Sequence, residues 1–301
     1  MSRTRSIILT CAWLCITGVC EAIESQTVLG SQDLPIQVIE AGDRSKPGIL
    51  FVHGWSLSSS SWAEQFSSDL SNDFHLVALD LRGHGNSGKP WQAESYSQSK
   101  IWADDIDAVL NATGLVRPLI IAWSFGGHVT MDYLRHYPAH SVAGVIFVGS
   151  SGGMLPFPQP DAETAVKYAR LTELSLSANA SERLEAARSY VANMVETPLK
   201  PEQLDREVAA ALAMPPYVRR AMLGRSLDNS DQTDRLVMPV LFLLGSAERN
   251  LSVDDAQILA RQLPNASISV YPGTGHMPFV EQTKKFNNEV KLFYRGLLAR
   301  D

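Results

Sequence analysis

Short apolar runs of strand length recur along the chain, separated by longer stretches with helical spacing. The runs are residues 34–39, 49–52, 76–79, 119–122, 142–148, 240–244 and 268–271. Ile, Val, Leu and Phe dominate them with little polar alternation, which is the pattern of strands covered on both faces. Between them, positions such as Trp102, Ile106, Val109 and Leu110 repeat at the spacing of a helix face. Such alternation predicts an α/β fold, a mostly parallel sheet covered by helices on both faces. The strands before Gly48 are expected to form an antiparallel edge.

The rhythm breaks once. From residue 151 to 235 no strand-like run occurs. Pro156-Phe-Pro-Gln-Pro160 opens this stretch, helix-like segments follow at 163–176, 181–195 and 202–213, and Pro215-Pro216 punctuates their end. The expected organisation is a core of residues 23–150 and 236–301, interrupted by a helical cap at 151–235. Residues 1–22 read differently. Arg3 and Arg5 form a positive start, residues 6–20 are uncharged and mostly apolar, and Cys20-Glu-Ala22 is a tolerable small-x-small cleavage site. A secretory signal peptide cleaved near Ala22 is expected, giving a secreted or periplasmic protein. The alternative is an uncleaved N-terminal anchor, which would be the chain's one association with a membrane. All three cysteines (Cys11, Cys15 and Cys20) fall in this segment, so the rest of the chain has no disulfide, thiol nucleophile or thiolate-bound metal.

Composition narrows the function classes. The chain has 301 residues, 45% of them hydrophobic, enough to bury a large core. Its formal net charge is -6 and it has no basic cluster, which argues against a nucleic-acid partner.

Chemistry concentrates at the ends of the apolar runs. In Leu119-Ile-Ile-Ala-Trp-Ser-Phe-Gly-Gly127 a buried strand runs into small residues around a serine, and a helix follows. This is the nucleophile-elbow pattern, with Ala122 in place of its first glycine. Ser124 would stand at a helix N-terminus, where backbone N–H groups favour developing negative charge. Phe51-Val-His-Gly-Trp55 follows another strand. Acyl transfer needs two preorganised N–H donors for its oxyanion, and the backbones of Trp55 and Phe125 are the candidates. His53 reads as a brace for that loop. In Tyr271-Pro-Gly-Thr-Gly-His-Met-Pro-Phe279 a Gly- and Pro-rich loop presents His276 as a general base. In Gly245-Ser-Ala-Glu-Arg-Asn250 the one carboxylate is Glu248, the candidate to orient His276. Asp254 and Asp255 remain as alternatives, although acids at a helix start often serve only the helix. Asp80, Arg82 and His84 read as a braced loop, and no spacing suggests a metal or another cofactor. Trp55, Trp123 and Met277 flank the motifs and are candidate pocket residues, suiting a small apolar or aromatic ester.

Taken together, His53-Gly-Trp55, residues 80–88, Ala122-Trp-Ser-Phe-Gly-Gly127 and Gly273-Thr-Gly-His-Met-Pro-Phe279 resemble the α/β-hydrolase superfamily, in particular its esterase, perhydrolase and cofactor-free haloperoxidase branch. The resemblance covers roughly residues 35–298 and is weak across the cap. It implies a serine hydrolase that cleaves carboxylic esters through an acyl-enzyme intermediate. Carbon–carbon bond hydrolysis, lactone hydrolysis and perhydrolysis could use the same triad. A catalytically inactive binding protein of this fold is the alternative from another class. Dehalogenases and epoxide hydrolases of this fold carry Asp where Ser124 stands. Glu248 departs from the more usual Asp of the family.

Overall fold

A computed structural model describes residues 23–298. The expected signal peptide, its cleavage site and all three cysteines lie outside the described residues. Eight strands form one sheet: β1 (Glu24–Leu29), β2 (Pro35–Ala41), β3 (Gly48–Val52), β4 (His75–Leu79), β5 (Leu119–Trp123), β6 (Gly144–Val148), β7 (Val240–Gly245) and β8 (Ala266–Tyr271). Their spatial order is β1-β2-β4-β3-β5-β6-β7-β8. The first two pairings, β1 with β2 and β2 with β4, are antiparallel, and all others are parallel. The antiparallel edge expected before Gly48 is therefore present, with one strand more than the apolar runs showed. Strand β1 escaped notice because Glu-Ser-Gln-Thr-Val-Leu buries only Val28.

Among the described residues the α-helices are α1 (Ala63–Phe66), α2 (Ser99–Thr113), α3 (Phe125–His136), α4 (Ala162–Ser175), α5 (Ala180–Ala192), α6 (Pro201–Ala213), α7 (Pro216–Leu223), α8 (Val253–Gln262), α9 (Pro278–Glu281) and α10 (Thr283–Leu298). Each large helix packs where its apolar face requires. In α10, Phe286, Val290, Tyr294 and Leu297 recur every three or four residues and are all buried. Helix α2 stops at Gly114, whose φ of 70° lets it close the C-terminus in the left-handed region.

Strands β3, β4, β5, β6 and β7 are buried along their whole length. Successive side chains alternate between two apolar clusters, one on each face of the sheet. Val52, Ala122, Phe147 and Phe242 belong to one cluster, and Phe51, Trp123, Val148 and Leu243 to the other. Each fully buried aliphatic side chain contributes roughly 1.5–3 kcal/mol, so this double-faced burial explains why polar alternation is missing from the runs.

Between β6 and β7 lie four helices and no strand. Three match the helix-like segments of the sequence to within a few residues. The fourth, α7, was hidden by Pro215-Pro216. Those prolines start a helix rather than end one: Pro216 sits at its first position, where a missing N–H costs nothing.

Strand β3 pairs with β4 on one side and β5 on the other. From β3 the chain first lays β4 to one side, then β5 through β8 to the other. This reversal opens a crevice at the carboxyl ends of β3 and β5, where open α/β sheets place their ligands. His53-Gly54-Trp55 and Ser124 follow those two ends directly.

Candidate active site

Ser124 joins β5 to α3 in a conformation that L residues rarely adopt, with φ 52° and ψ -117°. Such a conformation costs on the order of 1–3 kcal/mol and persists only where its surroundings enforce it. Here they do. The Ser124 N–H donates to the Val148 carbonyl at 2.9 Å. Its carbonyl accepts from Ser150 Oγ at 2.7 Å and from the Gly127 N–H at 2.9 Å. Close approach dictates the small neighbours. A Cβ on Gly126 would stand 2.4 Å from the Val52 carbonyl oxygen, so no side chain is possible there. The Ala122 methyl, by contrast, is absorbed into the core with no exposure.

His276 follows β8 and is fixed through its main chain. Its N–H donates to the Met194 carbonyl at 2.6 Å, and its carbonyl accepts from Trp123 Nε1 at 2.9 Å. Its Nδ1 lies 2.5 Å from Glu248 Oε2. The other Glu248 oxygen accepts the N–H groups of Arg249 and Asn250, each at 2.8 Å. An ionised carboxylate only accepts, so Nδ1 carries the proton and Nε2 presents a lone pair. Asn250 Nδ2 stands 3.5 Å from Nδ1 and 3.3 Å from Nε2. Near-equal distances to the two nitrogens mean that the amide is not aligned on the Nε2 lone pair alone. Gly149 makes room for the pair: at φ 54°, a Cβ there would lie 2.3 Å from Glu248 Oε2 and 2.7 Å from His276 Nδ1. Asp254 and Asp255 stand in the first turn of α8, where Ser252 Oγ caps the helix by accepting the Asp255 N–H and itself donates to Asp255 Oδ2.

The two candidate oxyanion donors also have physical placements. Phe125 is the first residue of α3, so its N–H precedes the intrahelical ladder. For Trp55 the orientation comes from His53, which is wholly buried. Nε2 of His53 accepts from the Leu81 N–H at 3.0 Å, so Nδ1 holds the proton and donates to the Gly54 carbonyl at 2.7 Å. Burial holds this histidine below its usual pKa, hence neutral. A peptide is planar and trans, so fixing the Gly54 carbonyl turns the Trp55 N–H to the opposite side.

Residues 80–88 form the braced loop that was expected. Asp80 accepts the N–H groups of Ser59 and Asn86, each at 2.7 Å. Arg82 grips Asp105 with two bonds of 2.7 and 2.8 Å and also reaches the Ser95 carbonyl. Among the described residues no group of three or more His, Cys, Asp or Glu could hold a metal, and no helix is long and apolar enough to cross a membrane.

Residues 49–289 match the model of the alpha/beta hydrolase family. The chain belongs to that family. Its solved relatives include an esterase from a Rhodococcus species, 29% identical, with a TM-score of 0.80 over 91% of this chain and 99% of that one. Among curated relatives, a bifunctional esterase/perhydrolase from Acinetobacter calcoaceticus is 25% identical over 85% of this chain and 94% of its own. A pimeloyl-[acyl-carrier protein] methyl ester esterase from Aromatoleum aromaticum is 25% identical over 78% of this chain and 93% of its own. General hydrolase activity of the esterase type follows from membership and these likenesses together.

In this hydrolase Ser124, His276 and Glu248 all line one cavity of about 440 Å³, within the usual size of a small-molecule site. Trp55 and Phe125 line it as well, and so do Tyr168, Tyr190, Met194, Met214 and Met222. Its walls are largely apolar and aromatic. Two expected pocket residues are not there. Trp123 does not line the cavity; it is wholly buried and packs on Trp62 and Phe279. Met277 is wholly buried in the same cluster. Both stand next to a motif residue in sequence, yet their side chains are packed into the core instead of the cavity wall. The sequence reading missed Arg219, Arg225 and His128, all of which line the cavity. Arg219 and Arg225 sit on or just after α7, whose face is marked by buried Val218 and Met222. An arginine one residue from Val218 and three from Met222 was the available signal.

Proposed function

We propose that this hydrolase cleaves carboxylic esters through an acyl-enzyme on Ser124. The observation that carries the reading is the convergence on one cavity of a strained serine at a strand-to-helix turn and a histidine whose Nδ1 is held by a buried glutamate. Backbone strain that is held in place by its surroundings clusters at functional sites, and here it coincides with the histidine and the cavity.

In this mechanism Ser124 Oγ attacks the ester carbonyl carbon while His276 Nε2 takes its proton. Glu248 keeps the proton on Nδ1 and stabilises the imidazolium. The carbonyl oxygen becomes an oxyanion and accepts from the Trp55 and Phe125 N–H groups. Collapse expels the alkoxide, which leaves as alcohol with the His276 proton. Water, deprotonated by the same nitrogen, then attacks the acyl-enzyme and releases the acid. Residues 23–150 and 236–301 act as the core, and residues 151–235 as the cap that supplies most of the pocket wall. An apolar or aromatic ester suits that wall.

A fluorophosphonate probe tests the reading. It should phosphonylate Ser124, located by peptide mass spectrometry, and block turnover of an aryl ester. No adduct, or an adduct unchanged in Ser124→Ala, would overturn the mechanism. So would full aryl-ester turnover by Ser124→Ala.

A further inference from the structure

Arginines line the cavity in excess of acids. Arg183, Arg219, Arg225 and Arg249 face it, against Glu196 and Glu248. Most of these charges have a partner of opposite sign, although Arg225 keeps a buried Nη1 with no hydrogen-bond acceptor. Glu248 is held by His276, Arg225 pairs with Asp132, and Arg249 with Glu196 at 3.9 Å. Arg219 is different. Its Nη2 donates to Ser56 Oγ at 2.5 Å and to the Ala211 carbonyl, both uncharged. Among the described residues it has no carboxylate partner, and its Nε and Nη1 groups have no protein acceptor. Burial depresses its basicity, with only the nearby Tyr190 opposing.

Arg219 is half-buried, and a guanidinium partly withdrawn from water without a counter-ion is costly. Here the unpaired donors border the reaction cavity. Arg219 is also tied to Ser56, the residue after the candidate oxyanion donor Trp55, and it lines the same cavity as Ser124. A guanidinium fork fits one ligand chemistry best, a planar carboxylate held by two parallel bonds. Arg183 has the same character nearer the surface: its recorded bonds go to the carbonyls of Ser177 and Ala178.

Resting on the serine-esterase reading, we propose that the substrate is an ester bearing a free carboxylate, and that Arg219 receives that carboxylate. The apolar walls take the chain between the two groups. The carboxylate can come from the acyl side, as in a half-ester of a dicarboxylic acid, or from the alcohol side, as in an acylated hydroxy acid.

The test compares three substrate series of matched length: monomethyl esters of dicarboxylic acids, acyl esters of ω-hydroxy acids, and neutral methyl alkanoates. The wild-type enzyme should favour one carboxylate series over the neutral one by about tenfold or more in kcat/KM, the worth of one charge-assisted contact. Which series is favoured identifies the side. In Arg219→Gln the preference should collapse through KM, and Arg219→Lys should keep part of it. Ser56→Ala, which removes a tether but leaves the cation, should keep the ratio even if both rates fall. A wild-type ratio near one would overturn the proposal and leave the esterase reading intact. Equal losses on charged and neutral esters in Arg219→Gln would also overturn it, showing only a brace for the Trp55 loop. Failure of the wild type on every series would sink the esterase reading, and this proposal with it. Should the Arg219 variants not fold, wild-type inhibition decides: a dicarboxylate should compete at least about tenfold better than its neutral diamide, and equal inhibition would overturn the proposal.

Discussion

The floor and the roof of the cavity are built by different means. The floor comes from loops that leave β3, β5, β6, β7 and β8, and four of those five strands are buried at every residue. The roof comes from helices α4 to α7. Of the fourteen residues in α4 only Leu174 is buried. Interiors packed on all sides transmit displacement and resist it, whereas a helix held along one edge adjusts. Chemistry needs reacting atoms held within a fraction of an ångström, and selection among substrates needs walls that can vary. The division of labour follows from burial.

The largest effect expected from breaking this contrast is at the floor. Ser124→Ala or His276→Ala should each lower kcat by at least about 10³-fold, and the double variant should lose little more, because such residues act as a unit. Glu248→Gln should lose about 10²–10⁴-fold, while Asp255→Asn should keep near-full activity and lose only helix-cap stability. Steady-state kinetics on an aryl ester, with folding checked by circular dichroism, would measure all five variants. Near-full activity in Glu248→Gln would remove the glutamate from the mechanism.

A smaller but sharper effect is expected at Gly149. An alanine there meets both an unfavourable φ and the Glu248–His276 pair. Gly149→Ala should reduce kcat by about 10–10²-fold by displacing the acid, and cost about 1–3 kcal/mol of stability. Gly273→Ala is the control, since that glycine also has positive φ but nothing within 4 Å of a Cβ. It should lose stability without a comparable loss of turnover. Equal kinetic losses in both would show that backbone strain, not the clash, is responsible.

Next comes a pH effect where floor meets roof. Burial, helped by the Arg225 cation, lowers His128 to about 4. The unfolded chain therefore binds a proton that the folded chain refuses. Stability from this group is complete above about pH 6.5 and falls away towards pH 4, by about 3 kcal/mol at most. Asp132, raised to about 6 by its burial despite Arg225 beside it, acts with the opposite sign over much of the same window. The diagnostic is thus the difference between wild type and His128→Gln in urea unfolding at pH 7 and pH 4.5. The variant should lose less stability on acidification, and parallel losses would refute the burial argument. The smallest effect belongs to the roof surface. Arg170 and Glu173 pair at 2.8 Å on α4 with most of both side chains in water. Arg170→Ala should leave the urea unfolding midpoint unchanged, because an exposed pair is screened by solvent, and a clear shift would show that α4 depends on it.

The same contrast governs what could be read from the sequence. The floor was legible because continuous apolar runs and the glycines of tight approaches have one physical meaning each. Ser124, His276 and Glu248 were all named from loops at strand ends, and the structure brings them to one cavity. Strand β1 was illegible because an edge strand with five of its six residues outside the core has no apolar run to show. The roof was legible only as helices. Which of their residues face inward depends on how α4 to α7 are tilted over the sheet, and no local pattern encodes that tilt. Hence Arg219 and Arg225 went unnamed while Trp123 and Met277, beside the motifs in sequence, were misplaced.

Two hydrogen bonds across the floor–roof boundary carry a practical consequence. Met194, just beyond α5, supplies the carbonyl that holds the His276 main chain, and Tyr190 on α5 donates its hydroxyl to the Trp55 carbonyl at 3.0 Å. The insertion is therefore not a detachable module. Anyone transplanting a foreign insertion onto this core to change its substrate would also remove a support of His276 and one of the Trp55 loop. A graft that replaces α4 and α7 but retains residues 190–194 keeps both supports, and divides the part that can be redesigned from the part that belongs to the reaction.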